Sequence, residues 1–191
     1  MSSVKWGGVA GVVAATLLIL SAIINQLNPI QGVYDSAASY VYSAVVVVAY
    51  TGVIFAVLGI HALHRGRPRY GRSGTAAAVI TIVGYTVIAI VMLISMIQGH
   101  ASLLMVRLGG AGLVLVGSAV LGVIILRARL LPWWCGVLLI VGLPLGDVAN
   151  ELFGSAENLL LALLWGSVGV GLLARGEGAA ESVASQPAQA G

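Results

Sequence analysis

Residues 40–98 read YVYSAVVVVAYTGVIFAVLGIHAL (Tyr40–Leu63), HRGRPRYGRSG (His64–Gly74) and TAAAVITIVGYTVIAIVMLISMIQ (Thr75–Gln98). Two runs without a charged residue flank a short segment that holds Arg65, Arg67, Arg69 and Arg72. Each run is long enough to cross a hydrocarbon core of about 30 Å as a helix, which takes about 20 apolar residues. A water-exposed helix of that length needs a polar face, and neither run shows one. This pair decides the fold: two membrane-spanning helices joined by a basic turn.

Working outward from the pair, the same reading finds four more runs between charges, Trp6–Leu27, Leu108–Leu126, Trp133–Leu152 and Asn158–Ala174. The sequence thus predicts an all-α, polytopic bundle of six transmembrane helices over 6–27, 40–63, 75–98, 108–126, 133–152 and 158–174. These make one domain, 1–175. Residues 176–191 are small and polar without a hydrophobic period, and are expected to form a disordered cytoplasmic tail. The fifth run holds Asp147 and Glu151 near its end and the sixth is short, so a re-entrant hairpin is the alternative there. Lys5 and the following apolar run imitate a signal peptide, but the run exceeds the usual length and continues past Leu20-Ser21-Ala22, so an uncleaved helix is expected.

Composition agrees with this reading. Of 191 residues, 60% are hydrophobic and only 8% charged, and the mean hydropathy is +1.07. Such a chain lacks the polar surface a soluble fold of this size requires. The net charge of +3 does not point to nucleic acid, because the basic residues follow the membrane pattern. With six alternating helices, eight of the nine Lys and Arg residues fall on one side: Lys5, the four arginines above, Arg127, Arg129 and Arg175. Only Arg107 falls opposite, together with Asp35, Asp147, Glu151 and Glu157. Short loops rich in Lys and Arg mark the cytoplasm, so both termini are expected inside a multi-pass cell-membrane protein. Trp6, Trp133 and Trp134 at one boundary, and Tyr34, Tyr40, Tyr42 and Phe153 at the other, fit the aromatic belts. A bacterial inner membrane is the simplest home.

A weak internal repeat links Val57-Leu58-Gly59 and Ile82-Val83-Gly84 to Val120-Leu121-Gly122 and Ile140-Val141-Gly142. It fits three tandem hairpins in one orientation, although apolar sequence produces such matches readily. Small residues four apart, at Gly7/Gly11, Gly142/Gly146, Ser118/Gly122 and Ser167/Gly171, suit close helix contact within the chain or at a dimer face.

Two polar groups are candidate sites. Asp147, Asn150 and Glu151 share one helix face, with Glu157 across the turn and His100 on the same side. Carboxylates with an imidazole can hold a divalent cation or relay protons; the competing reading is that they are solvated at headgroup level. The second group lies at mid-depth: Tyr50, Thr51, Tyr85, Thr86 and Trp165, with Pro144 leaving a backbone carbonyl without its usual partner. It can frame a pocket for a small amphipathic or aromatic molecule, or each hydroxyl can simply bond its own helix one turn back. The basic loop of Arg65, Arg67, Arg69 and Arg72 sets topology and is placed to touch anionic headgroups. His61 and His100 count to opposite sides, which argues against a bis-histidine haem. Cys135 has no nearby basic partner and is expected to be inert. No H-E-x-x-H, G-x-S-x-G, P-loop or dinucleotide fingerprint occurs, so no cofactor or metal is expected and an enzyme is the least supported class.

The run Arg127-Ala128-Arg129-Leu130-Leu131-Pro132-Trp133-Trp134-Cys135-Gly136-Val137 resembles a recurring loop of uncharacterised small six-helix bacterial integral membrane proteins. In that group an arginine and a Leu-Pro-x-Trp-x-Gly element open a late helix. The resemblance implies a bacterial membrane location and no particular activity. The leading expectation is a non-enzymatic accessory or structural membrane component that binds lipid, a membrane-protein partner or a second copy of itself. The alternative is a small-solute or ion transporter or channel with an acidic outer mouth and an aromatic centre.

Overall fold

The computed structural model describes residues 2–29, 34–65, 70–153 and 156–184. They form six helices: α1 (Ser3–Leu27), α2 (Ala37–His64), α3 (Gly71–Gln98), α4 (Leu104–Ala128), α5 (Trp133–Phe153) and α6 (Ala156–Ala184). Five are long and apolar enough to cross a membrane. The remaining one, α5, has its described apolar stretch over Trp133–Gly146. The chain is an all-helical, multi-pass membrane protein.

Most helices begin a few residues before the apolar runs do, because the runs were bounded by charge whereas a helix is bounded by its caps. The Ser2 side chain accepts from the Lys5 N–H at 3.4 Å to start α1, and Ser36 accepts from the Ser39 N–H at 3.3 Å to start α2. Gly99, at φ 74°, ends α3 in the left-handed conformation that glycine adopts without strain. Gly154 and Ser155, whose sequence reads as a helix stop followed by a cap between α5 and α6, lie outside the described residues.

The α6 helix continues past the sixth apolar run to Ala184, and the rest of the expected tail, 185–191, lies outside the described residues. Ala179, Ala180, Glu181 and Ala184 are good helix formers, and extending an existing helix avoids the cost of nucleation.

The helices pack in chain order as antiparallel neighbours, and α6 closes the ring by packing on α1. Glycines set most of the close approaches. A Cβ on Gly7 would lie 2.5 Å from the Gly59 Cα, so the α1 and α2 backbones touch there. Gly11 meets Gly169 on α6, Gly84 meets Gly110 and Val114 on α4, and Gly122 meets Gly136 on α5. In lipid, where apolar surface gains nothing by leaving the solvent, such backbone contact is what holds helices together. The small-residue positions Gly7, Gly11, Gly122, Gly142, Gly146 and Gly171 thus all serve contacts within the chain. The repeat-related glycines do not behave alike. Gly84 and Gly142 each meet the following helix, but Gly59 meets the preceding helix and Gly122 the following one.

Antiparallel packing gathers Lys5, Arg65, Arg72, Arg127, Arg129 and Arg175 at one end, the basic end. There Tyr70 folds back between α2 and α3, its hydroxyl 3.1 Å from His61 Nδ1 and its ring stacked on His64 at 5.4 Å. The His64 Nδ1–H lies within hydrogen-bond distance of the Ile60 carbonyl, at 2.8 Å. Arg67 and Arg69 lie outside the described residues.

Candidate functional site

At the end opposite the basic one, the ring encloses a cavity of about 380 Å³. One face of α2 supplies Tyr42, Ser43, Val46 and Tyr50, residues spaced so that they line up along a helix. Val91, Met92 and Ser95 of α3 form the facing wall, and Leu104 and Arg107 of α4 a third. Glu157 and Asn158 enter from the start of α6, Asn25 from the end of α1, and Tyr34, Ala101 and Ser102 from the connecting segments.

Hydrogen bonds between separate segments hold the rim. Asn158, nearly buried, donates from Nδ2 to the Tyr42 hydroxyl at 3.2 Å and so ties α6 to α2. The Ser43 hydroxyl donates to the Tyr34 hydroxyl at 3.0 Å. The Ser102 N–H donates to Ser95 Oγ at 3.2 Å, and the Tyr34 N–H to the Gly99 carbonyl at 3.2 Å. Arg107 and Glu157 both line the cavity, together with the hydroxyls of Tyr34, Tyr42, Ser43, Tyr50, Ser95 and Ser102. Such a lining offers hydrogen-bonding groups of both charge signs to a small polar molecule.

The cavity ends on an aromatic layer. From Tyr42 to Tyr50 the α2 helix descends about 12 Å at 1.5 Å per residue, which puts Tyr50 halfway along the helix. The Tyr50 ring lies 5.1 Å from Tyr85, and Tyr85 lies 6.0 Å from Trp165 in an edge-on arrangement. The Trp165 Nε1–H donates to the Tyr85 hydroxyl at 3.1 Å. Towards the basic end the core is mostly apolar, including Val53, Val57, Ala78, Leu121, Leu139 and Val168, with Thr81 and His64 buried among them.

The mid-depth group therefore divides. Tyr50, Tyr85 and Trp165 come together, whereas Thr51, Thr86 and Pro144 do not join them. Thr51 is exposed and donates to the Val47 carbonyl of its own helix at 3.0 Å. Thr86 donates to the Ile82 carbonyl at 2.8 Å, and Pro144 is exposed on α5. Of the acidic-end group, Glu157 lines the cavity, while His100 is exposed with its Nδ1 3.0 Å from the Gln98 carbonyl. The side chains of Asp147, Asn150 and Glu151 lie outside the described residues. His61 and His100 sit at opposite ends of the bundle. Cys135 is buried and donates weakly to the Ser167 carbonyl at 3.6 Å.

Tyr42, Ser43, Ser95, Asn158 and Arg107 escaped the sequence reading as site residues. Two signals pointed to Arg107 and Tyr42. Arg107 is the one basic residue that breaks the charge pattern, and Tyr42, Val46 and Tyr50 repeat every fourth position on one face. Compared with known proteins, the chain matches no family model, no curated protein and no solved structure.

Proposed function

We propose that this chain binds and carries a small amphipathic or zwitterionic molecule, without changing it chemically, through a cavity open to the outer side of a bacterial cytoplasmic membrane. Both termini then face the cytoplasm. The orientation follows from the basic end, since Lys and Arg in short loops remain inside. The observation that carries the reading is the cavity itself: about 380 Å³, at the small end of ligand pockets, with Arg107 and Glu157 on its wall and an aromatic floor at mid-depth. The accessory or structural reading draws less support. A partner-binding stripe of small residues was its expected mark, and Gly7 and Gly142 are used inside the chain.

Trp165 supplies the test. The other tryptophans, Trp6, Trp133 and Trp134, are exposed, so replacing all three with Phe leaves Trp165, which reaches the floor residue Tyr50 through Tyr85, as the sole tryptophan reporter. Emission of that variant is followed while glycerophosphoethanolamine, amino acids and taurine are added in turn. At least one of these zwitterions is expected to shift the spectrum saturably, and Arg107→Gln or Glu157→Gln to weaken that response about tenfold or more. No response from any of them would remove the binding reading.

A further inference from the structure

The six helices divide into two sets of three by the kind of contact that joins them. In the first set, a Cβ on Gly7 would lie 2.5 Å from the Gly59 Cα, where α1 meets α2. One on Gly169 would lie 2.7 Å from the Val12 nitrogen, where α6 meets α1. In the second set, a Cβ on Gly84 would lie 2.8 Å from the Val114 nitrogen, where α3 meets α4, and one on Gly122 2.5 Å from the Gly136 carbonyl, where α4 meets α5. The two seams between the sets are built differently. At the α2–α3 seam, Gly52 and Gly59 face α1 and Gly84 faces α4. At the α5–α6 seam, Gly142 and Gly171 first meet side chains, of Leu164 at 3.0 Å and Leu131 at 3.2 Å. Side chains also make the main ties across: Tyr85 of α3 packs against Tyr50 of α2 and accepts from Trp165 of α6, and Tyr70 packs on His61 and His64 at the basic end. The cavity lies on this division. Tyr42, Val46 and Asn158 line it from the first set, and Val91, Ser95 and Arg107 from the second. Two rim bonds stay within a set, Asn158 to Tyr42 and Ser102 to Ser95, while the Tyr34 N–H to Gly99 carbonyl bond joins connecting segments across the seam.

We infer that α6–α1–α2 and α3–α4–α5 move as two rigid bodies about the basic end, opening and closing the cavity between them, with Tyr85 as the latch. Helix backbones in direct contact have no rotamer to change, so the glycine contacts lock each set. Side chains exchange between staggered rotamers, so helices packed through them can slide past one another. The Tyr70 cluster holds the basic end, and Tyr85 holds the middle through one hydrogen bond and one ring contact. Rocking of one half-bundle against the other around a fixed site is how a carrier exposes that site. The inference deepens the carrier reading of the cavity and rests on it for the ligand, whereas the motion is measurable without one.

Cys135→Ala removes the single cysteine, and pairs of new cysteines at exposed positions then carry spin labels in the full-length protein in lipid. Labels at Val41 and Ile97 span the α2–α3 seam at the cavity end, and labels at Leu58 and Val79 span it towards the basic end. Labels at Ile23 and Val41, and at Leu93 and Leu108, lie within the first and second sets. Tyr85→Phe, which removes the hydrogen bond, should broaden the Val41–Ile97 distances and shift them outwards, and Tyr85→Leu, which removes the ring as well, should do so further. The Leu58–Val79 distance should shift less, and the two distances within sets should stay as they are. Glycerophosphoethanolamine, amino acids and taurine are then added in turn, and whichever shifts Trp165 emission should narrow the Val41–Ile97 distribution. Distances within sets that change along with the seam overturn the inference. So does a Val41–Ile97 distribution that stays as narrow as theirs in both Tyr85 variants, whatever the zwitterions do. If the seam moves in those variants but no zwitterion acts on it or on Trp165, the two bodies stand and the carrier reading falls.

Discussion

The Trp165 indole N–H donates to the Tyr85 hydroxyl at 3.1 Å, and this bond joins α6 to α3 across the middle of the bundle. Both side chains are almost fully buried, and Tyr50 packs against the Tyr85 ring. The layer closes the cavity below and holds two helices that are not neighbours in the ring. A double-mutant cycle with Tyr85→Phe and Trp165→Phe should return a coupling of about 1 kcal/mol, within the range for hydrogen bonds between membrane helices. Thermal unfolding in detergent measures it. Strict additivity of the two substitutions would mean that the contact contributes only packing.

Glycines that look alike in sequence should differ sharply on substitution. A methyl at Gly7 meets the Gly59 backbone, which cannot rotate aside as a side chain can. Gly7→Ala should therefore separate α1 from α2 and cost about 1–3 kcal/mol. Nothing lies within 4 Å of the methyl that Gly112→Ala would add. Relief of glycine's conformational entropy then dominates, and that variant should gain about 0.5–1 kcal/mol. Melting temperatures of the two variants should move in opposite directions, and a parallel fall would contradict the packing described for α1 and α2.

The contrast between Tyr50 and Thr51 marks how far the sequence could be read. Depth along a span is legible, because residues can be counted from the charges at its ends, and counting placed Tyr50, Tyr85 and Trp165 at one level. Direction around the helix is not legible in the same way. A membrane helix is apolar on every side, so hydropathy does not reveal which face turns inward. Thr51 is one step from Tyr50 along the helix, and that step takes it from the floor of the cavity to the exposed surface. The Tyr42–Asn158 bond, across 116 positions of sequence, was invisible for a different reason: it exists only because the ring brings α6 against α2.

The basic end offers a pH test. Burial pushes the Tyr70 hydroxyl up from its ordinary value of 10.0 to about 12. The folded protein therefore keeps the phenol proton where the unfolded chain has lost it. Any stability linked to this group is intact below pH 10 and falls as pH rises from there to about 12. Tyr70→Phe removes the titration and also the contact with His61, so it should start about 1 kcal/mol less stable near neutrality. Between pH 8 and 11 its melting temperature should then decline less steeply than that of the parent. Equal slopes would show that another group governs the alkaline loss.

The arrangement of charge makes a topological prediction that does not depend on the ligand. Lys5 packs beside Gly176, so the start of α1 and this part of α6 share an end. His100 lies beyond the last residue of α3, at the other end. Alkaline phosphatase, which folds only outside the bacterial cytoplasm, should be active when fused after His100 and inactive after Arg129 or Gly191. Replacing Arg65, Arg67, Arg69 and Arg72 with Gln removes four of the eight positive residues assigned to the inner side and should lower the activity at His100. The remaining basic residues, Lys5, Arg127, Arg129 and Arg175, still favour the same side, so the population should become mixed rather than inverted. A phosphatase that is active after Gly191 and silent after His100 in the parent would turn the cavity to the cytoplasm.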